Sequence, residues 1–93
     1  MFYDVTRAVP LTDRRLELTF DDGSRGEIDL RAHITFAGVF AEIDREDQFR
    51  RVRVNGDTGT IEWPNGADLD PVVLYAAVTG RTVEDVLSNK TIR

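Results

Sequence analysis

The stretch from Arg15 to Leu30 leaves a chain of this length few choices of fold. Leu16, Leu18 and Phe20 alternate with Arg15, Glu17 and Thr19, the period of two that puts apolar side chains on one face of a strand and polar ones on the other. Asp21-Asp22-Gly23-Ser24 follows. Aspartate and serine bond to nearby backbone in turns, and Gly23 is free to take a positive φ there. Beyond the turn Ile28 and Leu30 point inward while Glu27 and Asp29 face water. The spacing predicts an antiparallel hairpin with one wet face. A half-buried hairpin is not stable alone, so its apolar side must be covered by other elements.

The flanking sequence offers both strands and helices. Tyr3, Val5 and Val9 mark a first strand over 3–9, interrupted by Arg7 and closed by Pro10. Proline cannot donate to a ladder, which fits an edge or bulged strand. Val52 and Val54 alternate with Arg51 and Arg53, Asn55-Gly56-Asp57-Thr58-Gly59 makes a loop, and Ile61 and Trp63 continue the inward face. This second hairpin sets Arg51 or Arg53 opposite Glu62 or Thr60 on the wet side. Between the hairpins Phe36, Val39, Phe40 and Ile43 fall on one helical face, weakened at its start by Gly38. Asp44 is expected to cap a second helical turn through 45–47 that ends near Phe49, an aromatic plug for the core.

Toward the C-terminus, Asp70-Pro71 reads as an N-cap followed by proline at the first helical position. Leu69 can staple onto Leu74. Val72, Val73, Leu74, Ala76, Ala77 and Val78 make this helix apolar on most sides, so burial is expected, and Gly80 stands where a left-handed cap belongs. Thr82 caps a last helix with Asp85 three residues on, and Val83, Val86 and Leu87 form its expected inner stripe. The tail 89–93 is expected to fray. The fold class is α+β: a small antiparallel sheet built from two hairpins plus an N-terminal strand, packed against two to four short helices. Residues 1–93 form a single domain, since 93 residues cannot divide their apolar surface between two cores.

Composition narrows the function classes. The net charge is -5, which disfavours direct binding to nucleic acid and suits a basic protein partner. The absence of cysteine excludes disulfides, thiolate metal sites and cysteine nucleophiles. Met1-Phe2-Tyr3-Asp4 has neither a basic nor an apolar leader pattern, and no apolar run approaches a membrane span, so a cytoplasmic chain with no membrane role is expected.

Candidate chemistry concentrates between Trp63 and Pro71. Pro64 holds Trp63 extended, Asn65-Gly66 is a turn pair, and Asp68 and Asp70 can accept from backbone amides. Glu62, Asp68 and Asp70 could instead gather round a hard cation, but calcium loops need more oxygens at tighter spacing. Cap, turn brace and wet surface are the better roles. His33 is the sole histidine, and neither Ser24 nor Ser88 is poised as its nucleophile. Arg45, Arg50, Arg51 and Arg53 make the densest basic patch, interleaved with Glu46 and Asp47 as a solvated surface would be. No phosphate-cradling glycine motif is present. No catalytic constellation emerges, and the chain is read as a non-enzyme without metal or cofactor.

The run Gly38-Val39-Phe40 through Phe49, then Gly59-Thr60-Ile61-Glu62-Trp63-Pro64-Asn65-Gly66-Ala67-Asp68-Leu69-Asp70-Pro71 with Leu74-Tyr75, resembles bacterial domain-of-unknown-function family 2442. The first hairpin matches that family's opening as well. The resemblance spans 1–77, leaving 78–93 as a helical extension, and departs at Asp44-Arg45-Glu46, where proline is expected after the aspartate. It implies an α+β domain with no established activity. The resemblance further implies that longer relatives append a helix-turn-helix half, which this chain is expected to lack, and that neighbouring small genes point to a paired, antitoxin-like partnership. The expected function is therefore a protein–protein interaction module whose motif is Trp63, Pro64, Asn65, Gly66, Ala67, Asp68, Leu69, Asp70, Pro71 and Tyr75, with the strand at Tyr3 beside it. Alternatives are the effector or dimerisation half of a DNA-linked regulator, and a small metal-dependent enzyme. Homodimerisation through an exposed edge strand is a further expectation.

Overall fold

A computed structural model describes residues 3–92, with side chains through Leu87. Three strands form the first sheet in the order β1 (Val5–Pro10), β2 (Arg15–Phe20), β3 (Arg25–Asp29), all antiparallel. The alternation along β2 is obeyed: Leu16, Leu18 and Phe20 are buried, while Arg15 is exposed. Leu16 pairs with Ile28 and Leu18 with Gly26 across the β2–β3 ladder. Gly26 packs closely on α2: a Cβ there would stand 3.1 Å from Val78 Cγ1, so any side chain would require Val78 to shift. The chain's first strand is bulged between Val5 and Arg7 and ends on Pro10, as its sequence suggests.

The second hairpin pairs β4 (Arg53–Asn55) with β5 (Thr60–Glu62) as a separate two-stranded sheet. Arg53 is the residue opposite Glu62, and the two form an ion pair at 2.8 Å. The sheets meet where the Val5 amide donates to the Gly59 carbonyl at 2.8 Å.

The link between the hairpins departs from the expected helix. It is built from short 3₁₀ turns at Leu30–Ala32, Gly38–Phe40 and Glu42–Asp44, then one α-helical turn, α1 (Glu46–Phe49). The i, i+3, i+4, i+7 pattern presupposes continuous α-helical winding, but Gly38 sits at φ 58° and Arg45 is extended at ψ 136°. The periodic face is therefore broken: Ile43 is buried and Val39 is exposed. Arg45, not Asp44, precedes α1, and its side chain makes no cap. Phe49 is fully buried, as expected of a core plug.

Helix α2 (Pro71–Thr79) starts and stops where its sequence says. Asp70 is extended and its carboxylate accepts from the Val72 amide at 2.8 Å; Gly80 closes the helix at φ 72°, a conformation costly for any residue with a Cβ. Helix α3 (Val83–Ile92) begins with the Thr82 hydroxyl accepting from the Asp85 amide at 3.0 Å. It runs on to Ile92, past the point where fraying is expected, while Arg93 lies outside the described residues. The core gathers Val5, Leu16, Leu18, Phe20, Ile28 and Leu30 from the first sheet and its exit with Ile43, Phe49, Ile61, Trp63, Leu74 and Val86. Among the described residues no helix is long and apolar enough to cross a membrane.

Candidate functional site

Trp63 leaves β5 and turns into the core, where 1% of it remains exposed. A buried indole needs a partner for its N–H, and Nε1 donates to the Phe49 carbonyl at 3.0 Å. The corner then folds back on itself: the Trp63 amide donates to the Ala67 carbonyl at 2.8 Å, and the Gly66 amide to the Trp63 carbonyl at 2.9 Å. Glu62 bridges Asp68 in antiparallel fashion, and the Thr60 hydroxyl donates to the Leu69 carbonyl. This extends β5 by one backbone ladder toward α2.

Asn65 shows why its residue type is needed. Its amide nitrogen donates to the Val39 carbonyl and to Glu42 Oε1, both at 2.8 Å, while its Oδ1 accepts from the Ala67 amide at 3.1 Å. One side chain thus fastens the corner to the 3₁₀ segment. Two of the three carboxylates, Glu62 and Asp70, are similarly committed to structure. Asp68 is instead exposed and tied through its backbone bridge to Glu62, the turn brace coming from Asn65. Glu62 accepts from Asn55 Nδ2 and Arg53 Nε, each at 3.0 Å. Those two hydrogen bonds, the one from Asn55 first, hold its carboxyl below the usual range. Asp70 caps α2. Among the described residues no group of three histidine, aspartate or glutamate side chains could hold a metal ion. The residues expected to form an interaction motif are accordingly split. Trp63, Ala67 and Tyr75 are buried and Leu69 and Pro71 half-buried, whereas Pro64, Asn65, Gly66, Asp68 and Asp70 reach the surface. His33 is exposed.

Two polar constellations lie outside the motif. The Tyr75 hydroxyl donates to Asp22 Oδ2 at 2.5 Å, tying α2 to the β2–β3 turn. Burial pushes the Asp22 carboxyl upward, but the hydrogen bonds from Tyr75 and Ser24 outweigh it and leave it lowered. The same bond to Asp22 raises the Tyr75 hydroxyl. Tyr75 also meets Phe20 edge-on at 5.1 Å and Tyr3 at 4.5 Å, and the Tyr3 hydroxyl donates to the Val86 carbonyl at 3.2 Å. The second is Arg14. It sits with Asp13 in the left-handed region, φ 60° and 58°, which turns its side chain back over the Phe49 ring, 5.8 Å from the centroid. There it donates to the Asp44 carbonyl and, at 2.9 Å, to Glu46. Sequence reasoning treats Arg14 as one more surface charge; nothing in residue type distinguishes it from exposed Arg15. A polar pair between two strands at 13–14 signals only a turn.

The helices diverge most from expectation. Val83 and Leu87 belong by spacing to the inner stripe of α3, yet they are 38% and 46% exposed, and Val86 alone of the three is buried. On α2, Leu74, Tyr75 and Ala76 are buried but Val73 is 38% exposed. A helix apolar on most sides is ordinarily well covered; here the sheet and α3 do not reach round to Val73.

A family model described as protein of unknown function (DUF2442) matches residues 5–80. The chain belongs to this family. The match takes in both sheets, the tryptophan corner and α2 to its glycine cap, and α3 follows it. No curated protein matches the chain, and no solved structure does.

Proposed function

We propose that this DUF2442 domain is a non-catalytic protein–protein interaction module of the cytoplasm, the antitoxin-like half of a two-gene pair. One observation carries the reading: Val73 on α2 and Val83 and Leu87 on α3 are large apolar side chains left partly exposed to solvent. Isolated exposed valines and leucines are ordinary. Three on two consecutive helices, one of them apolar on most sides, suit a surface that is covered in the complex. The net charge of -5 favours a basic partner, whose approach it would accelerate. The carboxylates at the corner support the same reading, since Glu62 and Asp70 are already engaged within the domain.

The test is affinity capture of the tagged full chain from its own host, alongside Val73→Asp and Leu87→Asp variants. A basic protein retained by the parent and lost from both variants is the expected result. Nothing retained, together with no binding to the product of the neighbouring gene, sinks the proposal. The open edge of the first sheet favours a second reading, the dimerisation half of a DNA-linked regulator. Salt-sensitive operator binding in a mobility-shift assay would support that reading over the first.

A further inference from the structure

We propose that β3 pairs with β3 of a second copy, antiparallel about a two-fold axis at Gly26, so that two three-stranded sheets become one. The alternation of ladder bonds identifies the free groups. The Phe20 amide donates to the Ser24 carbonyl and the Leu30 amide to the Arg14 carbonyl. In the register that sets Leu16 against Ile28 and Leu18 against Gly26, Gly26 and Ile28 therefore direct their amides and carbonyls to β2. Residues on either side of them alternate, so Arg25 and Glu27 turn theirs away from the sheet. Both residues are exposed, and among the described residues no hydrogen bond takes those outward groups.

The opposite edge is closed by comparison. β1 is bulged, ends on Pro10 and gives its Val5 amide to Gly59. β3 has neither bulge nor proline. Nor does α2 lie across its edge. The Cβ direction at Gly26 runs perpendicular to the sheet, and Val78 is what it meets, so the helix stands on the face and leaves the edge open.

Charge selects a second copy as the occupant and fixes the register. Glu17 and Glu27 are directly opposed across β2 and β3, with Arg15 3.7 Å from Glu27. Like charges in that position destabilise a sheet. Arg25-Gly26-Glu27 is its own complement: centred on Gly26, each copy sets Arg25 opposite Glu27 of the other, and each such pair exchanges both its N–H···O bonds. The arginine arrives beside the crowded glutamates. Centring on Glu27 instead would line up Glu17 and Glu27 of both copies and set Arg25 against Asp29, whose carboxylate Arg31 already holds, so the same electrostatics favour the Gly26 register. The contact is isologous and closes on itself.

Sedimentation equilibrium on the purified full chain tests the pairing, with Arg25→Glu, Glu27→Arg and the equimolar mixture of the two. Both sites are exposed, and circular dichroism confirms that the variants fold. The parent should dimerise with rising concentration. Each reversal alone should raise the dimer dissociation constant by about tenfold or more. The mixture should recover dimer: the Glu27→Arg copy carries arginine on both sides of Gly26, the Arg25→Glu copy carries glutamate on both sides, and the two are complementary. A parent that stays monomeric overturns the pairing. So does a dimer indifferent to both reversals, or a mixture that fails to recover. These outcomes are independent of partner capture: a monomeric parent that still retains a basic protein rejects the edge and leaves the module standing.

Discussion

At the corner over 63–70, side chains that look available are spoken for: the indole holds the Phe49 carbonyl, Asn65 holds Val39, Glu42 and Ala67, and Asp70 holds the first turn of α2. Across 71–87 the balance is reversed, because side chains that look destined for the core, Val73, Val83 and Leu87, face water. Polar residues in a dense turn attract functional readings, and here their geometry is that of a joint. Apolar residues on a helix attract structural ones, and here three of them are left over. A residue's chemistry therefore suggests a role only once its partners are known.

The largest effect that could break this contrast is at the tryptophan. Trp63→Ala should cost about 3–5 kcal/mol of unfolding free energy, since it empties a fully buried site and strands the Phe49 carbonyl. Urea denaturation followed by circular dichroism measures it. A cost below about 1 kcal/mol would mean that the corner is not the joint described. Next comes Asp70→Ala, which removes the cap of α2 and should cost about 1 kcal/mol, read in the same experiment.

Much of the fold is legible in the sequence because local rules and tertiary context agree. The β2–β3 hairpin, the bulged first strand, the Asp70-Pro71 helix start and the Gly80 stop each rest on a backbone preference that nothing nearby opposes. The segment over 36–49 misleads because periodicity counts apolar positions without asking whether the backbone winds continuously, and Gly38 and Arg45 interrupt it. On α3 the spacing of Val83, Val86 and Leu87 suggests one stripe. At about 100° per residue Val86 lies at one edge of that stripe and Val83 in its middle, so the helix rests on its neighbours through the Val86 edge alone and leaves Val83 and Leu87 exposed. At the corner, residue types locate the turn and the cap, but Asn65's reach to Val39 and Glu42 spans more than twenty positions and follows only from the assembled fold. The Tyr75–Asp22 bond and the Arg14 clamp are out of reach for the same reason.

On the helical side the polar tie is the Tyr75–Asp22 bond. Tyr75→Phe should cost about 0.5–1.5 kcal/mol near neutrality and should also change the pH profile. Asp22 is lowered in the folded chain, so its contribution is present above its unfolded pKa and lost as pH falls through the folded one. Tyr75 is raised, so its contribution is present below the ordinary tyrosine value and lost as pH climbs through its folded one. Removing the hydroxyl should therefore flatten the alkaline limb and shallow the acid limb. An unchanged profile on both sides would show that the bond does not form in solution.

The smallest expected effect is the most pointed. Val73→Ser and Leu87→Ser alter side chains already well exposed, so each should leave stability within about 0.5 kcal/mol of the parent. If either costs as much as a core truncation, the residue is seated in the folded domain, and the contrast with the corner disappears. If stability holds while capture of a partner is lost, folding and binding have been separated onto different residues. The corner would then hold α2 in place, and the outer faces of α2 and α3 would meet the partner. That division requires the two sets of variants to fail in opposite assays: Asp70→Ala in denaturation with capture retained by the folded fraction, and Leu87→Ser in capture with denaturation unmoved.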